Sequence, residues 1–289
     1  MHLPRLFGRR VFYISCRRRI PIFNGLCYNY VWAEEQGLWW ENLDYAFEEG
    51  LLLTQTVKLA GGHEILQDDR FFKLTQDSVL LSDFAYISSD ERGLDLGAGI
   101  GCLGIMVMGR DKGSVDGIEI EAEAAQLAAD NYARCSLSGR GRIVTGDFRA
   151  LPGDMVQRYD MCISNPPYYS PRHGQIALQP SLATARTALN GDISELCRAA
   201  ARALKTGGRL YLCYKPSALH ELFIALRDNL LAPKRLRLVH LNTKKRAGLA
   251  LVEARRDRAC ELNVMPPLFI NDEKGGESEE YRRIYKDFY

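Results

Sequence analysis

The residues best suited to chemistry come straight after an apolar run. "YDMCIS" (159–164) is followed by Asn165-Pro166-Pro167-Tyr168. A chain leaving a buried strand ordinarily turns on Gly, Asn or Asp. Two prolines and an aromatic make a stiffer corner. Such a corner suits a reaction at a planar amino group, whose nitrogen lone pair is delocalised and poorly nucleophilic. If that nitrogen attacks a methyl group it becomes tetrahedral and positive. Acceptors fixed at its N–H groups then stabilise the transition state. The side-chain oxygen of Asn165 can be one acceptor and the backbone carbonyl of Pro166 the other. Pro166 and Pro167 hold both in place, and Tyr168 can lie on the flat face of the target. In isolation the same residues would make a proline turn with a buried tyrosine.

A second group lies upstream. "DLGAGIGCLG" runs from Asp95 to Gly104 and fits two templates. Gly99, Gly101 and Gly104 satisfy G-x-G-x-x-G, the nicotinamide-dinucleotide pattern, with Glu119 at a suitable distance. Asp95, Gly97, Gly99 and Gly101 satisfy D-x-G-x-G-x-G, with Ala98 between its first two glycines, the loop of S-adenosylmethionine-dependent methyltransferases. Both use glycines to let a nucleoside approach the backbone and an acid on the next strand to accept from ribose hydroxyls. The glycines alone leave the choice open. Glu119 ends its strand and is preferred over Glu121 for the ribose. Asp147 can accept from an adenine amino group, with Phe148 against the ring, although a plain strand-end turn would look the same. The corner at Asn165 favours the methyl-transfer template, because a nicotinamide enzyme has no use for it.

These groups need elements to position them. "GLDLGA" (93–98), "SVDGIEI" (114–120), "GRIVTGD" (141–147), "YDMCIS" (159–164) and "RLYLCYK" (209–215) read as strands. Helices are expected around 102–110, over 121–135, over 192–208 with its end at Gly207-Gly208, and over 217–231. "KRLRLVHL" (234–241) and "ALVEARR" (250–256) read as a closing hairpin. Alternating strands and helices imply an α/β, Rossmann-like sheet, mostly parallel, with helices on both faces. Ligands of such sheets sit beyond the carboxyl ends of the strands, where each candidate residue falls. "NDEKGGESEEY" (271–281) reads as a polar, mobile tail.

Composition sets the outer limits. The 289 residues are 46% apolar with a net charge of +2, so nucleic-acid binding would have to come from local patches. Lys234, Arg235, Arg237, Lys244, Lys245, Arg246, Arg255, Arg256 and Arg258 crowd the last hairpin and could meet phosphates beside the pocket. The eight cysteines form no C-x-x-C pair and none has zinc spacing to a His, so no metal is expected and the thiols read as reduced and cytosolic. No run is apolar enough to span a bilayer. The first acid is Glu34, after a stretch holding Arg5, Arg9, Arg10, Arg17, Arg18 and Arg19. This stretch could be a transit peptide, a basic arm or sequence upstream of a later start. The last reading is preferred, although the next methionine is Met106. Residues 1–60 are therefore expected to be a basic extension and 61–289 the catalytic domain.

Together these motifs resemble class I S-adenosylmethionine-dependent amino-methyltransferases of the NPPY type, and among them the bacterial tRNA1(Val) adenine-37 N6-methyltransferases. The resemblance covers roughly residues 60 to 289 and includes "LTQDSVLLSDF" (74–84), "RLRLVH" (235–240) and "MPPLFI" (265–270). It implies a seven-stranded sheet with an antiparallel last strand. By motif match, Asp95, Gly97, Ala98, Gly99 and Gly101 hold the methionine part of the cofactor, Glu119 and Ile120 its ribose end, and Asp147 and Phe148 its adenine. Gln76 and Asp77 also touch the cofactor. Asn165, Pro166, Pro167 and Tyr168 hold the target base of a cytoplasmic tRNA. One departure is visible: where the family often reads A-R-H-E, this chain has Ala185-Arg186-Thr187-Ala188. The same corner would also serve N5-methylation of a release-factor glutamine, or adenine methylation in rRNA or DNA.

Overall fold

The computed structural model describes residues 54–59, 62–71, 73–166 and 193–286. Pro167, Tyr168, the 185–188 stretch and the arginines of the N-terminal segment lie outside the described residues.

The fold begins with an antiparallel hairpin, β1 (Thr54–Lys58) and β2 (Glu64–Asp68). The domain boundary expected after residue 60 falls between its two strands. Then come helix α1 (Gln76–Phe84), strand β3 (Arg92–Leu96), helix α2 (Cys102–Arg110), strand β4 (Ser114–Glu119) and helix α3 (Ala122–Arg134). Strands β5 (Ile143–Thr145) and β6 (Tyr159–Ser164) follow, then helix α4 (Ile193–Ala203), strand β7 (Leu204–Tyr214) and helix α5 (Leu219–Asp228). The chain then forms β8 (Leu231–His240), β9 (Ala247–Arg256), the short strands β10 (Asn263–Val264) and β11 (Leu268–Phe269), and helix α6 (Glu279–Tyr285).

The main sheet runs in the order β10-β8-β9-β7-β6-β3-β4-β5. Its β5, β4, β3, β6 and β7 are parallel, and β9 is antiparallel to both β7 and β8. The expected seven strands are present, and β10 and β11 extend them to nine by pairing with β8. Side chains alternate between two apolar layers. Met161, Ile163, Tyr211 and Cys213 pack toward α1, α2 and α6, while Leu94, Cys162, Leu210 and Leu212 pack toward α4 and α5.

Two expectations change. The helix expected over 192–208 stops at Ala203, and Lys205 to Gly208 start β7 instead. The amides of Gln157 and Arg158 take the carbonyls of Arg202 and Ala203, and Gly207 adopts a left-handed φ of 79° at an irregular register. The expected tail is also ordered. Asp272 closes a turn by accepting from the amides of Lys274 and Gly276. Ser278 caps α6 by accepting from the Tyr281 amide at 3.1 Å, and Tyr281 and Ile284 are buried in the core. Arg237 grips Glu280 through two hydrogen bonds of 2.9 and 2.8 Å.

The Tyr132 side chain of α3 packs against α2. A Cβ placed on Gly104 would meet the Tyr132 hydroxyl at 1.9 Å, and that hydroxyl is buried with no hydrogen-bond partner. Gly104→Ala should lower unfolding stability by about 1–3 kcal/mol, because the helix must shift. Tyr132→Phe should leave stability unchanged or slightly raised, since it removes an unsatisfied buried hydroxyl, and should recover part of the loss in the double variant. Urea unfolding of the three variants checks both.

Candidate active site

From β3 the chain moves outward to β4 and β5, then returns to add β6 on the other side of β3. The loops after β3 and β6 therefore flank the point where the strand order reverses, and such sheets open a ligand crevice there.

The loop after β3 is built for close approach. Gly97, Gly99 and Gly101 have φ of 76°, 53° and 87°, a region costly for residues with a Cβ. At Gly97 and Gly99 an added Cβ would meet nothing within 4 Å, so this side of the loop is open. The amides of Gly97 and Ala98 donate to the Ile118 carbonyl at 3.0 and 3.1 Å, tying the loop to β4. Glu119 is buried at the end of β4. Its Oε2 accepts from the Gly99 amide at 2.8 Å and its Oε1 from the Glu121 amide at 2.9 Å. Burial raises its carboxyl above the usual range, and these amides oppose the shift. Ile120, beside it, is exposed.

Asp95 is fully enclosed beneath the same loop. Neither carboxyl oxygen has a hydrogen-bond partner. Burial, with the Glu119 charge adding to it, pushes its pKa up to about 8.

Asp147 lies beyond β5 and is engaged by Arg149. The Arg149 amide donates to Oδ1 at 2.8 Å and its guanidinium pairs with the carboxylate at 2.6 Å. This pairing holds the Asp147 carboxyl below its usual range. Phe148 starts a short turn of 3-10 helix and packs on the α4–α5 side. The Gln76 amide is spent on the Tyr281 hydroxyl at 3.0 Å, which fastens α1 to α6. Asp77 is half-buried in the first turn of α1, and burial raises its carboxyl.

Asn165 stands directly beyond β6. Its Nδ2 donates to Ser78 Oγ at 2.9 Å and to Thr75 Oγ1 at 3.3 Å. Its Oδ1 accepts from the Cys213 thiol at 3.0 Å. Thr75 also caps α1, with Oγ1 accepting from the Ser78 amide. Ser164, one residue earlier, donates to the Leu96 carbonyl at 2.7 Å and ties the ends of β6 and β3 together. The amide orientation of Asn165 is thus set by two hydroxyls on one side and a thiol on the other.

Sequence reading singled out Asn165 but missed Thr75, Ser78 and Cys213, which orient it. The signal for Thr75 and Ser78 was a helix cap inside "LTQDSVLLSDF". It also missed Asn131, buried in α3. Asn131 exchanges hydrogen bonds of 2.8 and 3.0 Å with the Leu66 backbone and donates to the Ile100 carbonyl at 3.0 Å, supporting the glycine loop from below.

The family model described as the methyltransferase small domain matches residues 75–224, a span that contains all of these groups except Leu66 and Tyr281. The chain belongs to that family. Among curated relatives, a tRNA1(Val) (adenine(37)-N6)-methyltransferase of Dickeya chrysanthemi is 30% identical over 232 residues, covering 78% of this chain and 90% of the relative. A protein of the same name from Edwardsiella ictaluri is 30% identical, covering 75% of this chain and 87% of its own. Among solved structures, a predicted O-methyltransferase from Agrobacterium tumefaciens superposes with a TM-score of 0.60 at 21% identity, over 73% of this chain and 96% of that one, and shares the fold. The residues of this methyltransferase fit S-adenosylmethionine. The glycine loop is open where a Cβ would stand on Gly97 and Gly99, a carboxylate with spare lone pairs ends β4, and a buried carboxyl group with no hydrogen-bond partner lies beneath the loop.

Ser78→Ala removes the shorter bond to Asn165 Nδ2. It should lower kcat for methyl transfer about ten-fold while leaving cofactor affinity unchanged, because the amide is freer to rotate. Steady-state kinetics beside calorimetric binding of S-adenosylhomocysteine would check this.

Proposed function

We propose that this methyltransferase moves a methyl group from S-adenosylmethionine to the exocyclic N6 of an adenine in tRNA, adenine 37 of tRNA1(Val), in the cytoplasm. The observation that carries this reading is the pinned Asn165 amide beside an open glycine loop at the sheet's switch point. The curated relatives, matched over about nine-tenths of their length, support the tRNA substrate. No helix among the described residues is long and apolar enough to cross a membrane, and no cluster of metal-binding side chains occurs among them.

When bound, S-adenosylmethionine supplies a methyl group on a positively charged sulfur. The chain's own residues prepare the nucleophile. Asn165 Oδ1 accepts one N6 hydrogen and the carbonyl of Pro166 the other, so charge developing on nitrogen meets acceptors already in place. A strong base before transfer is unnecessary, since the proton becomes acidic only as the nitrogen turns cationic. Pro167 stiffens the corner and Tyr168 stacks on the base. Glu119 accepts from the ribose hydroxyls, with Ile120 beside the nucleoside. Asp147 and Phe148 border the adenine, Asp147 accepting through lone pairs that Arg149 leaves. Gly97 to Gly101, with Asp95 beneath, receive the methionine end.

Labelled S-adenosylmethionine should place label in tRNA lacking the modification, recovered as N6-methyladenosine and mapped by nuclease digestion to position 37. Label in a release-factor glutamine, with none in RNA, would overturn the substrate.

The cofactor also makes the site sensitive to pH. Asp95 is kept protonated up to about pH 8 in the folded protein, against 3.8 when unperturbed. The folded chain thus holds a proton that the unfolded chain has lost, and this group lowers stability as pH rises between those values. An ammonium group above the loop favours the carboxylate and releases that proton. Affinity for S-adenosylhomocysteine should therefore rise from pH 6 to pH 8, by at most about ten-fold per unit, and then level off. Asp95→Asn should flatten the profile. Calorimetry in two buffers of different ionisation enthalpy would read the released proton directly.

A further inference from the structure

The basic residues of the last hairpin do not form one patch. Register places them at opposite ends of the sheet. Ser164, just before Asn165, pairs with Leu212 of β7, and Cys213 pairs with Leu251 of β9. The turn between β8 and β9 therefore extends past the edge that carries Asn165. Lys244, Lys245 and Arg246 belong to this turn, whereas Lys234, Arg235, Arg255, Arg256 and Arg258 lie at the other end.

The two groups also differ in their partners. At the far end Arg235 and Arg255 share the buried Glu253, and Arg256 pairs with Asp257 at 3.1 Å. Arg209, which lines a cleft of about 510 Å³ there with Lys234, Arg235 and Arg255, is paired with Glu91 at 2.5 Å. Arg237, mid-strand, is held by Glu280. Lys244, Lys245 and Arg246 are exposed and have no ion pair among the described residues. Their turn is nevertheless shaped. Asn242 Oδ1 accepts from the Lys244 amide at 3.0 Å, and the His240 ring meets the Lys245 carbonyl at 2.9 Å and packs on Phe269. Three exposed cations without an ion pair among the described residues, on a fixed turn at the edge that carries Asn165, suit a polyanion that has to be held while one of its bases reacts.

We infer that the β8–β9 turn, through Lys244, Lys245 and Arg246, grips backbone phosphates of the RNA away from the reacting nucleotide. This rests on the tRNA reading above. Three strand spacings separate β8 from β6, about 14 Å sideways. At roughly 3.4 Å per nucleotide along a stacked strand, the phosphates met are about four nucleotides from the target. Such contacts fix register on the RNA and carry no base preference.

The test compares unmodified tRNA binding and methylation by wild type, by Lys244→Ala, Lys245→Ala and Arg246→Ala combined, and by Lys234→Ala with Arg258→Ala as the far-end control. Binding is measured across KCl concentrations, with circular dichroism and S-adenosylhomocysteine affinity verifying the fold. The turn variant should raise the tRNA Kd about ten- to a hundred-fold. The slope of log affinity against log salt should become shallower by about 2–3, at roughly 0.7–0.9 per lost phosphate contact. Its kcat at saturating tRNA should stay near wild type, and the control should match wild type throughout. An unchanged slope in the turn variant, or an equal change in the control, overturns the inference while tRNA methylation by wild type stands. If wild type methylates no RNA, the proposed function falls and the inference with it.

Discussion

The Asn165 amide is useful as an acceptor only if its oxygen faces the substrate and stays there. A free amide can rotate and present its NH₂ end, which would repel a nitrogen becoming positive. Thr75 and Ser78 take the NH₂ side, and the Cys213 thiol meets the oxygen. These partners come from α1 and β7, elements far apart in sequence, so the grip exists only when the fold is complete. The preorganisation proposed for Asn165 therefore rests on tertiary packing.

Other parts of the molecule serve that arrangement. Helix α1 must be placed accurately, because its first turn holds Asn165. Its apolar residues Val79, Leu80, Leu81 and Phe84 are buried, and Gln76 ties its start to Tyr281 of α6. The closing segment, far along the chain, thereby braces the catalytic edge. The glycine loop has its own supports in Glu119 and Asn131, both buried and both bonded to its backbone. Asp95 contributes a buried carboxyl with no hydrogen-bond partner, a destabilising feature that the proposed cofactor's cation would offset.

Much of this was legible in the sequence. Alternation of strands and helices along most of the chain gave the sheet, and the glycines and acids around the ends of β3 and β4 stand where the pattern put them. The misreadings share a cause. Gly207-Gly208 looked like a helix end, but in β7 a left-handed glycine accommodates an irregular pairing that only the neighbouring strand imposes. The 271–281 stretch looked mobile because it is polar, yet the Asp272 turn, the Ser278 cap, the buried Tyr281 and the Arg237–Glu280 pair hold it. Thr75, Ser78, Asn131 and Cys213 are ordinary residues locally and gain meaning only from partners across the fold. The basic residues near the end read as one patch because sequence distance hides which end of a hairpin each occupies.

Asn165 is proposed to act on the transition state and not on cofactor binding or folding. The most direct measurement is single-turnover methyl transfer by Asn165→Ala under saturating cofactor and tRNA, beside calorimetry with S-adenosylhomocysteine. The rate should fall by about two to three powers of ten with cofactor affinity unchanged. A rate within a few-fold of wild type, or a loss explained wholly by weakened cofactor binding, would contradict it.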